Sequence, residues 1–253
     1  MDNELHQILI EDTPFLDVRA EVEYQQGTMP TSINLPILTN QERHRVGLCY
    51  KQQGSIAATT LGHQLVSGDT RDQRIARWTD FLRTQPKAHL YCWRGGQRSE
   101  IAQLWLKEAG FEVPRINGGY KALRQYLLRC FEHIAPLIVV SGYTGVGKTD
   151  FINQFSESID LEALAHHRGS AFGKRVSPQP VQADFENSLA IDLLKKKHAE
   201  HFLFVEDESR LIGRIQVPHL FKNAMDDAAI VVLQDSLKQR VERILQDLSL
   251  IHI

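Results

Sequence analysis

The chain has 253 residues, which is more than one ordinary domain contains and fewer than three domains would need. Hydrophobic residues make up 42% and charged residues 24%, which excludes a disordered chain or a fibre, and no apolar run approaches the roughly 18 residues of a membrane span. The formal net charge of −2 means that a nucleic-acid partner would need a local basic face rather than a bulk positive field.

Short apolar, β-rich runs alternate with helical periods along the chain, a pattern typical of α/β layers around parallel strands. In the first half we predict strands at 15–18, 32–35, 89–92 and, more weakly, 112–116, with helices at 72–82, 99–107 and 121–133. In the second half we predict strands at 136–140, 201–205 and 230–233, with helices beginning at 148 and spanning 189–199 and 237–248. These elements define two domains, 1–133 and 134–253, and we expect the second to be C-terminally incomplete.

A cysteine follows the predicted strand at 89–92, in the sequence YCWRGGQRS at positions 91–99. The backbone N–H groups of a glycine-containing loop, the N-terminus of the next helix, and Arg94 and Arg98 would together favour a nucleophilic thiolate on Cys92. The same cradle binds anions such as thiosulfate, phosphate or selenophosphate. We therefore predict that these three residues are catalytic; the alternative is a buried cysteine acting as a small hydrophobe.

A phosphate-binding motif follows the predicted strand at 136–140, because GYTGVGKT at 142–149 matches G-x-x-x-x-G-K-[ST]. Gly142, Gly145 and Gly147 let the backbone N–H groups surround a phosphate, Lys148 supplies positive charge, and the Thr149 hydroxyl can hold Mg²⁺. The motif does not choose between ATP and other diphosphates.

An acidic partner for this loop is expected at the end of a buried strand, where Glu206 and Glu208 are the favoured candidates and the strand register decides between them. Arg168 and Ser170, in a glycine-punctuated loop, are candidates for binding phosphate or substrate. The adjacent histidines before them diverge in direction and lack a second ligand pair, so we predict no protein-held metal site. The basic, partly aromatic segment 40–54 suits nucleic acid, although a solvated helix is the commoner interpretation.

The cysteine loop resembles the active-site loop of rhodanese-type sulfurtransferases, and LDVR at 16–19 with PTSINLP at 30–36 extends the resemblance. In that family Asp17 and Arg19 order the loops, so we assign them structural roles. Cys92 and Arg98 also fit the C-x5-R spacing of cysteine phosphatases. No general-acid carboxylate lies within the loop, which counts against phosphatase chemistry.

Four further motifs occur in order: RVGLCYKQQG at 45–54, DLE at 160–162, HRGSAFG at 167–173 and VEDESR at 205–210. With the two loops they resemble the tRNA 2-selenouridine synthase family, which implies a rhodanese-like parallel-sheet domain followed by a P-loop NTPase-like α/β domain. The resemblance implies that selenium from selenophosphate replaces the sulfur of a wobble 2-thiouridine in tRNA. That sulfur is first prenylated with geranyl diphosphate, and Cys92 carries the selenium as a perselenide.

We accordingly expect selenophosphate and geranyl diphosphate as co-substrates, possible use of Mg²⁺, tRNA as partner and no tightly bound cofactor. Three separated cysteines fit no disulfide framework, and the N-terminus lacks a signal-peptide core, so a cytoplasmic protein without membrane association is expected. The alternative is a rhodanese-type sulfurtransferase or persulfide carrier fused to a nucleotide-binding domain. A nucleotide-regulated anion-binding protein and a cysteine phosphatase are weaker alternatives.

Overall fold

The structure is a computed structural model that describes residues 2–167, 178–196 and 202–249, with side chains up to residue 245. The chain forms two compact units, Met1–Tyr126 and Leu127–Ile253. None of the described helices is long and apolar enough to cross a membrane.

The first unit is built on a three-stranded parallel sheet in the order β2-β1-β3. Its strands are β1 (Phe15–Asp17), β2 (Ser32–Asn34) and β3 (His89–Tyr91). Its helices are α1 (Asp2–Ile10), α2 (Glu21–Tyr24), α3 (Asn40–Leu65), α4 (Asp69–Thr84), α5 (Gln97–Glu108) and α6 (Gly119–Arg129), the last of which extends past Tyr126. All three residues of β1 are buried, as expected for a central parallel strand covered by helices on both faces.

The helix α3 bends within its 26 residues. Its start is fixed by a capping box in which the Thr39 hydroxyl accepts from the Glu42 N–H and the Glu42 carboxylate accepts from the Thr39 N–H. Gly54 has φ +85°, a left-handed conformation that glycine adopts without strain, and it interrupts the helical backbone. The second half of α3 therefore leaves in a new direction, beside the N-terminal part of α5.

The second unit carries a four-stranded parallel sheet in the order β5-β6-β4-β9 and a short antiparallel hairpin, β7-β8. The strands are β4 (Leu137–Ser141), β5 (Ser158–Ile159), β6 (Leu203–Glu206), β7 (Leu211–Ile212), β8 (Ile215–Gln216) and β9 (Ala229–Val232). A 3-10 turn (Cys130–Glu132) precedes α7 (Lys148–Ile152), α8 (Leu161–Leu164), α9 (Gln182–Lys196), α10 (His219–Asp226) and α11 (Leu237–Ser249). The two sheets confirm the predicted α/β fold class.

Three predicted elements differ from the observed ones. The strand expected at 112–116 is wrong, because only one bridge, Leu90 to Arg115, forms there, and Pro114 has no N–H to extend a ladder. The helix expected at 121–133 ends at Arg129 and continues as the 3-10 turn. The helix expected at 189–199 begins earlier, at Gln182, and the end of its predicted span lies outside the described residues, as does the start of the strand predicted at 201–205.

Candidate functional site

Cys92 lies immediately after β3, at the carboxyl edge of the first sheet. It is buried, with 3% of its surface exposed, and belongs on one side to the core formed by residues such as Leu90 and Ala102. Its Sγ is 3.2 Å from the Ser99 hydroxyl and 3.8 Å from the Gly96 carbonyl oxygen. The sulfur is therefore nearly buried, with the Ser99 hydroxyl and the Gly96 carbonyl as its polar neighbours.

The backbone of the cysteine loop, residues 92–98, is held from outside through its carbonyl groups. The Tyr120 and Lys121 N–H groups donate to the carbonyls of Cys92 and Trp93, and Arg115 donates to the Gly95 carbonyl at 2.7 Å. A Cβ at Gly119, which has φ +60°, would lie 2.2 Å from the Cys92 carbonyl oxygen, so only glycine permits this approach. In the part of the chain that the structure describes, the N–H groups of 93–98 make no hydrogen bond to a protein acceptor, an arrangement that fits anion binding by such a loop.

The two predicted arginines have different environments. Arg98 donates to Glu23 at 2.6 and 3.0 Å, and Glu23 also pairs with Arg43. Burial disfavours the charge of Arg98, but the bonds and charge of Glu23 outweigh it and keep the pKa of Arg98 above its ordinary value. Arg94 is exposed. Arg98 is thus held by Glu23, a partner that we did not predict, and Arg98, Arg43 and Glu23 together keep one net positive charge. Arg94, by contrast, remains in contact with solvent.

A fully buried ion pair lies behind the loop. The Nε of Arg19 donates to both oxygens of the Asp17 carboxylate, at 2.9 and 3.0 Å. One terminal nitrogen of Arg19 donates to the same carboxylate at 2.6 Å and to the Gly27 carbonyl at 2.8 Å. Its guanidinium also lies 4.0 Å from the ring centroid of Tyr120, whose ring stacks on Trp93 of the loop. The contacts fit the structural roles assigned to Asp17 and Arg19, which link β1 to the loop and to α6.

Replacing Arg19 by leucine is expected to destabilise the chain by about 3–5 kcal/mol, because it leaves the Asp17 carboxylate buried without its partner. Urea unfolding of the variant and the parent measures the difference. The double variant Asp17→Leu, Arg19→Leu removes both charges and should recover much of the loss. A single variant as stable as the parent would contradict this account of the pair.

The phosphate loop connects β4 to α7 in the second unit. Gly142, Gly145 and Gly147 have φ of +149°, +78° and +89°, and a Cβ at Gly142 would lie 2.8 Å from a backbone oxygen of the segment after β9. Lys148 Nζ is 3.3 Å from the Gly142 carbonyl oxygen, and the Thr149 hydroxyl donates to Glu206 at 2.6 Å. The structure thus brings these five predicted residues together with Glu206.

Three carboxylates meet beside this loop. Glu162, Glu206 and Glu208 each offer an oxygen, and these oxygens all lie within 4.8 Å of one another. Burial, together with the charges of the neighbouring acids, raises the pKa of Glu206 to about 7 and that of Glu208 to about 8. Asp207, between them in sequence, instead accepts a bond from Ser141 at 2.5 Å. The register of β6 therefore directs both favoured candidates to one cluster, and Glu162 joins them from a neighbouring helix.

Two arginines that we did not predict also contact the phosphate loop. On α11, Arg240 donates to the Thr144 carbonyl at 3.0 Å, and Arg243 donates to the Gly145 and Val146 carbonyls at 3.0 and 3.1 Å. Their spacing of three along one helix is the only signal that the sequence offers. Arg168 and Ser170, predicted to bind phosphate or substrate, lie outside the described residues.

The acidic cluster gives the stability of the chain a pH dependence. Because the carboxyl of Glu208 keeps its proton in the fold up to about pH 8 but loses it near 4.5 when unfolded, stability contributed by this group falls as pH rises between these values. In Mg²⁺-free buffer, Glu208→Gln is therefore expected to be more stable than the parent by about 1–3 kcal/mol at pH 8, with little difference near pH 4.5. Thermal unfolding across this range measures the difference, with Glu242→Gln on α11 as control. A difference that does not change with pH would contradict the expectation.

Sequence comparison matches both units to known families. Residues 1–126 match the rhodanese-like domain, and residues 135–250 match the AAA domain of tRNA 2-selenouridine synthase. The cysteine loop follows the carboxyl end of a strand in one parallel sheet, and the phosphate loop follows the carboxyl end of a strand in the other. Together with the two matches, this arrangement defines a rhodanese-type domain joined to a P-loop-type domain.

The full chain is similar to proteins named tRNA 2-selenouridine synthase. The relative from Shewanella denitrificans is 49% identical, over 97% of this chain and 68% of its own length. The relative from Shewanella oneidensis is 50% identical, over 95% of this chain and 65% of its own length. The relative from Bordetella petrii is 49% identical over 97% and 67%. The chain belongs to the tRNA 2-selenouridine synthase family, which confirms the resemblance, and it spans about two thirds of the length of these relatives.

Proposed function

We propose that this chain is an enzyme that replaces sulfur by selenium at the wobble 2-thiouridine of tRNA, with selenophosphate as selenium donor and a geranylated thiouridine as intermediate. The observation that carries the proposal is Cys92 at a strand end, with the unengaged N–H groups of residues 93–98 beside it, in a member of this family. A tRNA substrate and reduced thiols imply a cytoplasmic site of action.

The phosphate loop is proposed to hold the diphosphate of geranyl diphosphate. Loop N–H groups, Lys148 and the Thr149 hydroxyl suit a diphosphate, whereas the loop itself contains nothing that requires a nucleotide. Oxygen donors are the ligands that Mg²⁺ prefers, so Thr149 with Glu206 and Glu208 fits this ion as a holder of the diphosphate. When bound, Mg²⁺ would neutralise the charge that develops on the leaving diphosphate.

At the cysteine loop, Cys92 is proposed to carry selenium as a perselenide. A thiolate that takes selenium from selenophosphate in this way loses two electrons, so the step needs an oxidant. We assign that role to a small thiol disulfide: Cys92 enters as a mixed disulfide, and selenide, released as selenophosphate hydrolyses to phosphate, displaces the small thiol. The loop N–H groups stabilise the anionic donor and the perselenide.

Selenium transfer then needs no further oxidant. The Cys92 perselenide attacks C2 of the base, the C2–S bond breaks, and the geranyl thiolate leaves. The small thiol attacks the Cys92 sulfur, which releases selenouridine and restores the mixed disulfide, so the electrons balance over the cycle. Arg94, an exposed residue of the loop, is proposed to steer the anionic donor.

The proposal is tested by mass spectrometry of tRNA nucleosides after incubation of thiolated tRNA with the chain. With geranyl diphosphate alone, S-geranyl-2-thiouridine should accumulate, and addition of selenophosphate should convert it to 2-selenouridine. Rapid turnover of thiosulfate and cyanide without any change in the tRNA would instead support the sulfurtransferase alternative.

A further inference from the structure

An apolar pocket of about 130 Å³ lies in the first unit, between the two halves of α3, the segment that precedes α3, and α5. Apolar cavities of about 150 Å³ hold a small hydrocarbon molecule. Aliphatic and aromatic side chains form most of its wall, among them Ile37, Leu38, Val46, Ala58, Ile101 and Trp105. The bend of α3 at Gly54 creates the wall opposite α5.

The pocket shares residues with the cysteine loop. Gln97 and Arg98, which follow Cys92 in the same loop, both line it, and Gln97 donates to Thr59 of α3 at 2.7 Å. A group held in the pocket therefore lies next to the loop that carries the reactive sulfur.

The charges around the pocket favour a neutral, apolar occupant. None of the residues lining it is acidic, so it offers no partner to a cationic ligand. The guanidinium of Arg98 already donates from both terminal nitrogens to Glu23, so these two donors are engaged before a diphosphate could reach them. Ser55, Thr59 and His63 also line the pocket, but most of its wall is apolar, so a charged group would lose more hydration there than these side chains replace.

We propose that this pocket binds the prenyl chain of the S-prenylated thiouridine, and so presents the C2–S bond to Cys92. The inference rests on the proposed function, in which a neutral thioether with a hydrocarbon chain must reach the cysteine loop. Selenium attack on C2 breaks the C2–S bond, and the prenyl thiolate that leaves is the part that the pocket holds. Prenylation would then supply a binding handle as well as a leaving group.

Two glycines of α3 provide a matched test. Gly62 lines the pocket, and a Cβ there would meet only Val46 Cγ2, at 3.9 Å, so an added Cβ fits without strain and Gly62→Leu places further carbons at the pocket wall. Gly47 has no atom within 4 Å of an added Cβ and does not line the pocket, so Gly47→Leu is the control. Gly62→Ala gives a smaller change at the same position.

The experiment measures binding of S-methyl, S-dimethylallyl and S-geranyl 2-thiouridine nucleosides to the full chain by titration calorimetry. Affinity should rise along this series by at least about tenfold, because more apolar surface is buried. In Gly62→Leu the advantage of the geranyl nucleoside over the methyl one should fall about tenfold, with a smaller fall in Gly62→Ala and none in Gly47→Leu.

A parent chain without preference for the geranyl nucleoside, including one that does not bind it measurably, would overturn the pocket assignment. So would variants at Gly62 that fold, as judged by thermal unfolding, and keep the full preference. If the preference is present but tRNA gains no selenium, the proposed function fails and the pocket assignment stands. If tRNA gains selenium but the parent chain does not prefer the geranyl nucleoside, the pocket assignment fails and the proposed function stands.

Discussion

Replacing Cys92 by serine is expected to lower selenium incorporation into tRNA by at least about a thousandfold, as losses of catalytic nucleophiles commonly do. Serine keeps the size of the side chain and its contact with Ser99, but it forms neither a perselenide nor a mixed disulfide. In the proposed mechanism prenylation uses the phosphate loop and not Cys92, so the S-geranyl nucleoside should accumulate in this variant. Quantification of tRNA nucleosides by mass spectrometry measures both effects.

Cys49→Ser and Cys130→Ser are the controls for that result. Both cysteines are half-buried and form no disulfide with a described residue, and neither lies in the 92–98 loop, so both variants should retain selenium transfer. Full selenium transfer by Cys92→Ser would remove the residue from the proposed chemistry. Loss of prenylation together with selenium transfer would instead indicate that the variant had damaged the fold.

Replacing Lys148 by alanine is expected to slow prenylation by about 10²–10³-fold, the cost of removing one group that stabilises charge in a transition state. The lysine ammonium lies 3.3 Å from the Gly142 carbonyl, above the loop whose N–H groups would surround the diphosphate. Selenium transfer to tRNA that already carries the geranyl group should be nearly unchanged, because that step uses Cys92. Rates of S-geranyl nucleoside formation and of selenium transfer are measured separately.

Lys222→Ala is the control for the charge change, because this lysine pairs with Asp226 and donates to the Glu208 carbonyl. Lys222 is not part of the phosphate-loop motif, so Lys222→Ala should keep most of the prenylation rate of the parent. Normal prenylation by Lys148→Ala would contradict the assignment of the diphosphate to this loop. Equal loss of both reactions would contradict the separation of the two steps.

The two loops could be predicted from the sequence because each is a local motif. Gly142, Gly145 and Gly147 adopt the positive φ values that their spacing implies, and Cys92 follows a strand and precedes a helix as the local pattern requires. The fold class could be predicted for the same reason. Apolar runs and helical periods are patterns of residues that lie close together in the sequence.

Contacts between residues far apart in the sequence were not predicted. Glu23 pairs with Arg98 across 75 positions, and no local pattern indicates this ion pair. Glu162 joins Glu206 and Glu208 only because β5 and β6 are neighbours in the sheet. The burial of Cys92 also depends on residues remote in the sequence, because the core cluster that it joins contains Leu16 and Trp78.

The most direct test of the account locates selenium on the protein. The full chain is incubated with selenophosphate and glutathione disulfide, digested without reduction, and its cysteine peptides are analysed by mass spectrometry. The account predicts a selenium isotope pattern on the peptide that contains Cys92, removed by excess thiol and absent from Cys92→Ser. Selenium only on the peptides of Cys49 or Cys130, or on none while tRNA still gains selenium, would contradict it.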